Sequence, residues 1–173
     1  GAQVKRGAVV MPDDDETADK YLLADEKFSA AGFDWYELSN WSRPGSECRH
    51  NMAYWNGDNW WGLGAGAHSH ISGRRFWNVK HPAAYAQKVV ESGNPMHDQE
   101  ILTAEESRSE EIMLQIRLAS GISQSALSSE EKARLGRYLD DGYILQESWE
   151  AGRIVLSKTG RLIADRIVRE ILL

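Results

Sequence analysis

Five of the chain's seven tryptophans lie between Trp35 and His70, in the stretch WYELSNWSRPGSECRHNMAYWNGDNWWGLGAGAHSH, with its only cysteine, Cys48, and three of its five histidines, His50, His68 and His70. Few folds accommodate such a span. Rings of this size either fill a core or wall a cleft for a large flat ligand, with the polar groups between them fixing its orientation. Trp and Tyr at alternating positions equally describe a buried strand, and on these residues alone both readings stand. Turn signals divide the span at Ser39-Asn40, Arg43-Pro44-Gly45-Ser46 and Asn56-Gly57-Asp58-Asn59. Loops that long in a compact domain are usually functional or disordered, and the tryptophans argue against disorder.

A chain of 173 residues, 42% hydrophobic, has room for one domain and a small second one around a genuine core. No apolar run approaches the roughly 18 residues of a membrane span, and GAQVKRGAVVMP lacks the apolar centre of a signal peptide, which places the chain in the cytoplasm. A formal net charge of -6 argues against general nucleic-acid affinity. One cysteine closes no internal disulfide and cannot by itself build a structural zinc site or hold an iron–sulfur cluster.

Along the chain, Gly1 to Val10 reads as a linker or frayed edge. Pro12 and the acidic run Asp13 to Glu16 start a helix that stops at Gly32, and Phe33 to Leu38 is a strand, so helix, glycine and strand make half of an α/β unit. Trp60 to Gly64 reads as a second strand, Arg74 to Val79 as a short edge strand, and Pro82 to Gly93 as a helix. After Asn94-Pro95 the character changes, and we set a boundary that leaves residues 1–96 and 97–173 as two parts. Thr103 with Glu106 forms a capping box, and the helix behind it runs on to Gly121. A short helical turn follows, then a helix opening at Ser129, strands at Tyr143–Glu147 and Arg153–Leu156, and a last helix capped by Thr159. Helix, helix, hairpin, helix is a winged-helix-like outline. The stripes Ile112, Met113, Ile116 and Leu139, Leu145, Ile154 are core. The wing, Glu147 to Gly152, carries two carboxylates that would face phosphates, which argues against nucleic acid as a partner.

Four stretches resemble one family: Tyr36-Glu37-Leu38-Ser39-Asn40-Trp41-Ser42, Cys48-Arg49-His50-Asn51 followed by Tyr54-Trp55, Trp61 to Ser69, and Gly142-Tyr143-Ile144 with Thr159-Gly160-Arg161. They are similar to the C-terminal half of HemW-like proteins, the heme-chaperone relatives of the oxygen-independent coproporphyrinogen III oxidase HemN within the radical SAM superfamily. HemN lacks the Cys-Arg-His-Asn and Tyr-Trp pair, so the resemblance is to the HemW branch. It implies an α/β fold: the final strands and helices of an incomplete TIM-like (β/α) barrel, entered at Trp35 and Trp61, then a mainly helical winged-helix-like domain. It implies S-adenosyl-L-methionine and a [4Fe-4S] cluster in the full-length protein, whose CxxxCxxC motif is absent here. By itself this chain should not cleave S-adenosylmethionine, and the open edge of a truncated sheet would favour a homodimer.

The resemblance also gives the candidate site residues their roles. His50, beside Tyr54 and Trp55, offers an imidazole to heme iron and rings to a porphyrin face, although a lone histidine more often bonds loop backbone. Cys48 offers a thiolate, with a small buried hydrophobe as its default. His68, Ser69 and Ser42 fall where HemN-like proteins face the methionine cofactor, and strand-end packing is their alternative. Arg43 and Arg49, with Arg74 and Arg75, could fork onto tetrapyrrole carboxylates, although a single arginine more often has a solvated surface role. The functions implied are heme binding with delivery to an acceptor protein or, in the oxidase branch, oxidative decarboxylation of coproporphyrinogen III.

Overall fold

The computed structural model describes residues 2–8 and 10–173. Where a linker was expected, a short helix, α1, spans Ala2–Lys5; Gly1 and Val9 lie outside the described residues. Helix α2, Asp14–Ala30, starts as the acidic run requires, with the Asp13 carboxylate accepting from the Glu16 N–H at 2.7 Å. It ends before Gly32, whose φ of 78° is the left-handed turn that glycine supplies cheaply.

The strand that follows does not lead into a parallel unit. β1 (Asp34–Glu37) turns back at Leu38-Ser39 and pairs antiparallel with β2 (Asn40–Ser42), setting Trp35 opposite Trp41. Glu37, fully buried, holds this turn by accepting from the Asn40 side chain and from the Ser39 N–H at 3.3 Å. Helix α3 (Arg49–Trp55) comes next, so His50 sits on a helix and not in a loop.

A second antiparallel sheet has the order β3-β4-β5, with β3 His68–Ile71, β4 Arg74–Asn78 and β5 Met96–Ile101. Ser72 and Gly73, at φ 51° and 75°, join the first two by the two-residue turn that suits strand twist. β4 is therefore the central strand and not an edge, because β5 runs along it through the segment where the character of the sequence changes. The strand expected over Trp60–Gly64 reduces to one bridge, Trp60 with His70. Gly62 and Gly64 bring no side chains to a ladder, and their backbone groups are bonded by the side chains of Ser69 and Asn78 instead. Helix α4 (Pro82–Ser92) closes at Gly93, φ 66°.

The rest is mostly helical. Thr103 and Glu106 make the full capping box of α5 (Ala104–Gln115), which ends well before Gly121. β6 (Ile122–Ser123) and a 3-10 turn over Gln124–Ala126 lead to α6 (Ser129–Asp140), whose own capping box is built on Ser128 and Glu131. In place of the wing, α7 spans Gln146–Glu150, where Gln146 donates to Glu150 one turn on at 2.7 Å. The expected hairpin is reduced to an Ile144–Leu156 bridge, while β7 (Arg153–Ile154) pairs with β6. The last helix is two: α8 (Lys158–Leu162), capped by Ser157 and not Thr159, and α9 (Ala164–Leu172).

Ile112, Ile116, Leu135, Ile154, Ile167 and Ile171, all fully buried, centre the core between α5, α6 and α9. Met113 and Leu145, expected there, are 38% and 43% exposed because they fall on the outer faces of their segments. No buried hydrophobic side chain among the described residues precedes Ile112; the earlier part buries Asp25, Glu37, Ser42, Ser69 and Asn78 instead. The two parts meet at several points: Leu118 bridges to Glu37, the Ala119 N–H donates to the Tyr36 carbonyl at 3.0 Å, Asp25 pairs with Lys158 and Arg161, and Arg75 with Glu110, while Arg153 donates to the carbonyls of Ser120 and Gly121 within the later part. Among the described residues, no helix is long and apolar enough to cross a membrane.

Candidate functional site

Helical spacing brings His50 and Tyr54 to one face of α3, with Tyr54 Oη 3.2 Å from His50 Nε2 and the rings edge to face at 4.9 Å. Tyr54 meets Trp60 at 4.7 Å, and Trp60 meets His70 at 4.8 Å. His70 is held in turn by its backbone bonds to Trp60 and by Nδ1 lying 3.1 Å from the Asp58 carbonyl. The result is a row of four rings, exposed at His50 and Tyr54 and half-buried at Trp60 and His70. A cavity of about 220 Å³ beside it is lined by Tyr54, Trp60, His70, Arg75, Met113 and Leu114. His50 and Tyr54 are thus exposed residues on an aromatic backing.

The other candidate residues are distributed around this row. Cys48 is exposed and immediately precedes α3, Arg49 is exposed beside His50, and Trp55 is half-buried at the helix end. Asn51 reaches Tyr36 Oη at 3.5 Å. His68 stacks on Trp77 at 5.5 Å, and strand alternation places it on the face of β3 that carries His70, opposite Ser69. Ser69, 1% exposed, accepts from the Gly62 N–H at 2.9 Å, while Asn78 donates to the carbonyls of Gly62 and Gly64. These two side chains hold the glycine-rich loop that presents Trp61, 67% exposed and packed on Phe76. A Cβ on Gly62 would collide with the His68 carbonyl. Gly62→Ala is expected to push this loop off β3 and to lower stability by about 1–3 kcal/mol, read as a reduced urea midpoint.

Ser42 is buried with its hydroxyl unpaired in the protein. Arg43 lies over the Phe33 ring at 5.4 Å and Arg74 over Phe76 at 5.4 Å. Arg75 is committed to Glu100 and Glu110, each at 2.6 Å. Trp60 and His70 were missed as site residues by sequence reasoning; the signal for His70 was the two-residue spacing from His68, which shares a face only if the segment is a strand.

On the far side of β1 and β2, Asp25 accepts from Trp41 Nε1 at 2.9 Å and from Arg161 at 3.0 Å, and pairs with Lys158 at 2.9 Å. Arg161 is buried and stacks over Trp35 at 4.4 Å and over Tyr21 at 5.5 Å. Burial opposes ionisation of Asp25, but the donors Lys158, Trp41 and Arg161 outweigh it and hold its carboxyl below the usual carboxylate range. Tyr21 is pushed up, chiefly by burial and against the pull of Arg161.

No three His, Cys, Asp or Glu side chains among the described residues are grouped to hold a metal ion. With one cysteine, the residues present do not fit an iron–sulfur cluster.

No family model matches the chain. It is 45% identical over 170 residues to "Heme chaperone HemW" of Mycobacterium tuberculosis, covering 98% of this chain and 43% of that protein. To the protein of the same name in Bacillus subtilis it is 31% identical over 173 residues, covering 95% of this chain and 45% of the relative. The chain thus spans less than half the length of these curated relatives. Its fold matches that of the Escherichia coli coproporphyrinogen III oxidase HemN, a radical SAM enzyme, with a TM-score of 0.69 over 92% of this chain and 42% of the other; at 17% identity this shows the fold alone. The chain is thus HemW-like over nearly its whole length.

Proposed function

We propose that this chain is the heme-handling part of a HemW-like chaperone, which binds heme and delivers it to an acceptor protein. The observation that carries this reading is the exposed His50–Tyr54 pair, 3.2 Å apart and backed by Trp60 and His70. An imidazole nitrogen is a common ligand for heme iron, and a row of rings gives a porphyrin face something to pack on. The names of the relatives agree with it. Trp55 is the last residue of the same helix, and Arg49, exposed beside His50, is the guanidinium we assign to a propionate, with Arg43 the second.

In the longer protein, S-adenosyl-L-methionine and a [4Fe-4S] cluster are the expected cofactors, and none of the cluster's thiolate ligands comes from this chain. We place Ser42 on the methionine-cofactor side; Ser69, buried and bonded to the Gly62 N–H, and His68, on the opposite face of β3, are not brought to one side with it. The unpaired Ser42 hydroxyl is an atom that a bound polar group would satisfy. We read residues 1–96 as the end of an incomplete barrel and 97–173 as a winged-helix-like domain with α7 in the wing position; what supports the first is that, among the described residues, no buried apolar side chain precedes Ile112, while the antiparallel pairing of β1 to β5 departs from a parallel barrel. A homodimer and a cytoplasmic location are further parts of this proposal.

Hemin titration tests it. The folded protein should give a Soret shift, and His50→Ala should weaken binding by about tenfold or more. No shift in the folded protein, or a shift that His50→Ala leaves untouched, overturns this assignment.

A further inference from the structure

β5 is the terminal strand of its sheet, and among the described residues no strand lies along its outer side. The Leu102 N–H donates to the Gly73 carbonyl, so the alternation of an antiparallel ladder turns the backbone groups of Gln99 and Ile101 away from β4. The Gln99 N–H is taken by the neighbouring Asp98 carboxylate at 2.8 Å, the local bond an amide makes when no strand lies beside it. Five of the six residues of β5 are exposed, and Ile101 is 73% exposed. The edge is thus a row of main-chain groups with one apolar anchor.

Its charge decides what can occupy it. Asp98 and Glu100 lie on the strand, and Glu105 and Glu106 follow on the first turn of α5. The nearby guanidinium of Arg75 is shared between Glu100 and Glu110. A second copy of β5 laid antiparallel along this edge would bring like charges together, which disfavours self-pairing. An extended segment carrying lysine or arginine at alternate positions meets complementary charge while completing the ladder. We propose that the outer edge of β5 binds an extended, basic segment of a partner protein by strand addition. This goes beyond the heme assignment and does not depend on it.

The probe is a labelled, end-capped peptide of alternating lysine and valine, titrated by fluorescence anisotropy against the folded protein at low ionic strength. Saturable binding is expected, lost for the same peptide N-methylated at alternate amides and absent for an alternating glutamate and valine peptide. Asp98→Lys should weaken it by about tenfold, and Gln99→Pro, which removes an outward N–H, should abolish it. Because the N-methylated peptide is tested on the unaltered protein, the proposal stays falsifiable if Gln99→Pro misfolds. No binding up to about 1 mM peptide, equal binding of the N-methylated peptide, or self-association of the protein through β5 would overturn it.

Discussion

Replacing Asp25 by alanine is expected to destabilise the protein by about 3–5 kcal/mol, among the largest effects of any single polar substitution. The side chains of Asp25 and Arg161 are 9% and 6% exposed, so removing the carboxylate strands a guanidinium between Trp35 and Tyr21 with no counter-charge. The indole of Trp41 and the ammonium of Lys158 lose an acceptor at the same time. Because the native carboxyl is held below its ordinary value, this stabilisation is fully present above the unfolded value of about 4 and is lost as pH falls through the lowered native one. Asp25→Asn keeps the shape without the charge and should flatten that part of the acid limb. Urea midpoints followed from neutral to acid pH check both; an acid limb as steep in Asp25→Asn as in the unaltered protein would refute the linkage.

Leu135→Ala should cost about 2–5 kcal/mol by emptying a site in the core. Leu135 is fully buried on α6, whose principal partner is α9, within the cluster that includes Ile112, Ile167 and Ile171. The same truncation at Leu145, which is 43% exposed, should change stability far less, by about 0.5 kcal/mol or less. Thermal melts of the two variants separate these outcomes, and a comparable loss in both would show that the core is not organised around α5, α6 and α9.

Local chemistry was legible where it is local. The Asp13 cap, the Thr103–Glu106 box and the glycine stops at Gly32 and Gly93 each depend on residues within one or two turns, and each stands where the sequence puts it. Two misses were local, the cap of α8 at Ser157 and the stop of α5 at Gln115, and others arose where a distant partner decides. Trp60–Gly64 has strand composition, yet Ser69 and Asn78 take its backbone bonds. Polar β5, with the sequence Met-His-Asp-Gln-Glu-Ile, has no alternation to betray a strand and exists through its pairing with β4. At the site, the spacing of four between His50 and Tyr54 was visible in the sequence, but a helix had to be recognised for it to mean adjacency. Trp60 completes the row through a bridge to His70 ten residues on, a pairing that no local pattern announces.

The short connector from Leu118 to Gly121 serves two masters. Its amide and its bridge seat the hairpin that carries Trp35 and Trp41, while its last two carbonyls are gripped by Arg153 and Gly121 abuts the Ile154 carbonyl so closely that a methyl group has no room. Such a hinge pin leaves little slack: a tilt of the hairpin is passed to the helical part as a rigid displacement rather than absorbed. Lengthening the connector by one residue would throw both grips out of phase together, so natural length variation should be concentrated in the exposed turns and sparse across these four positions.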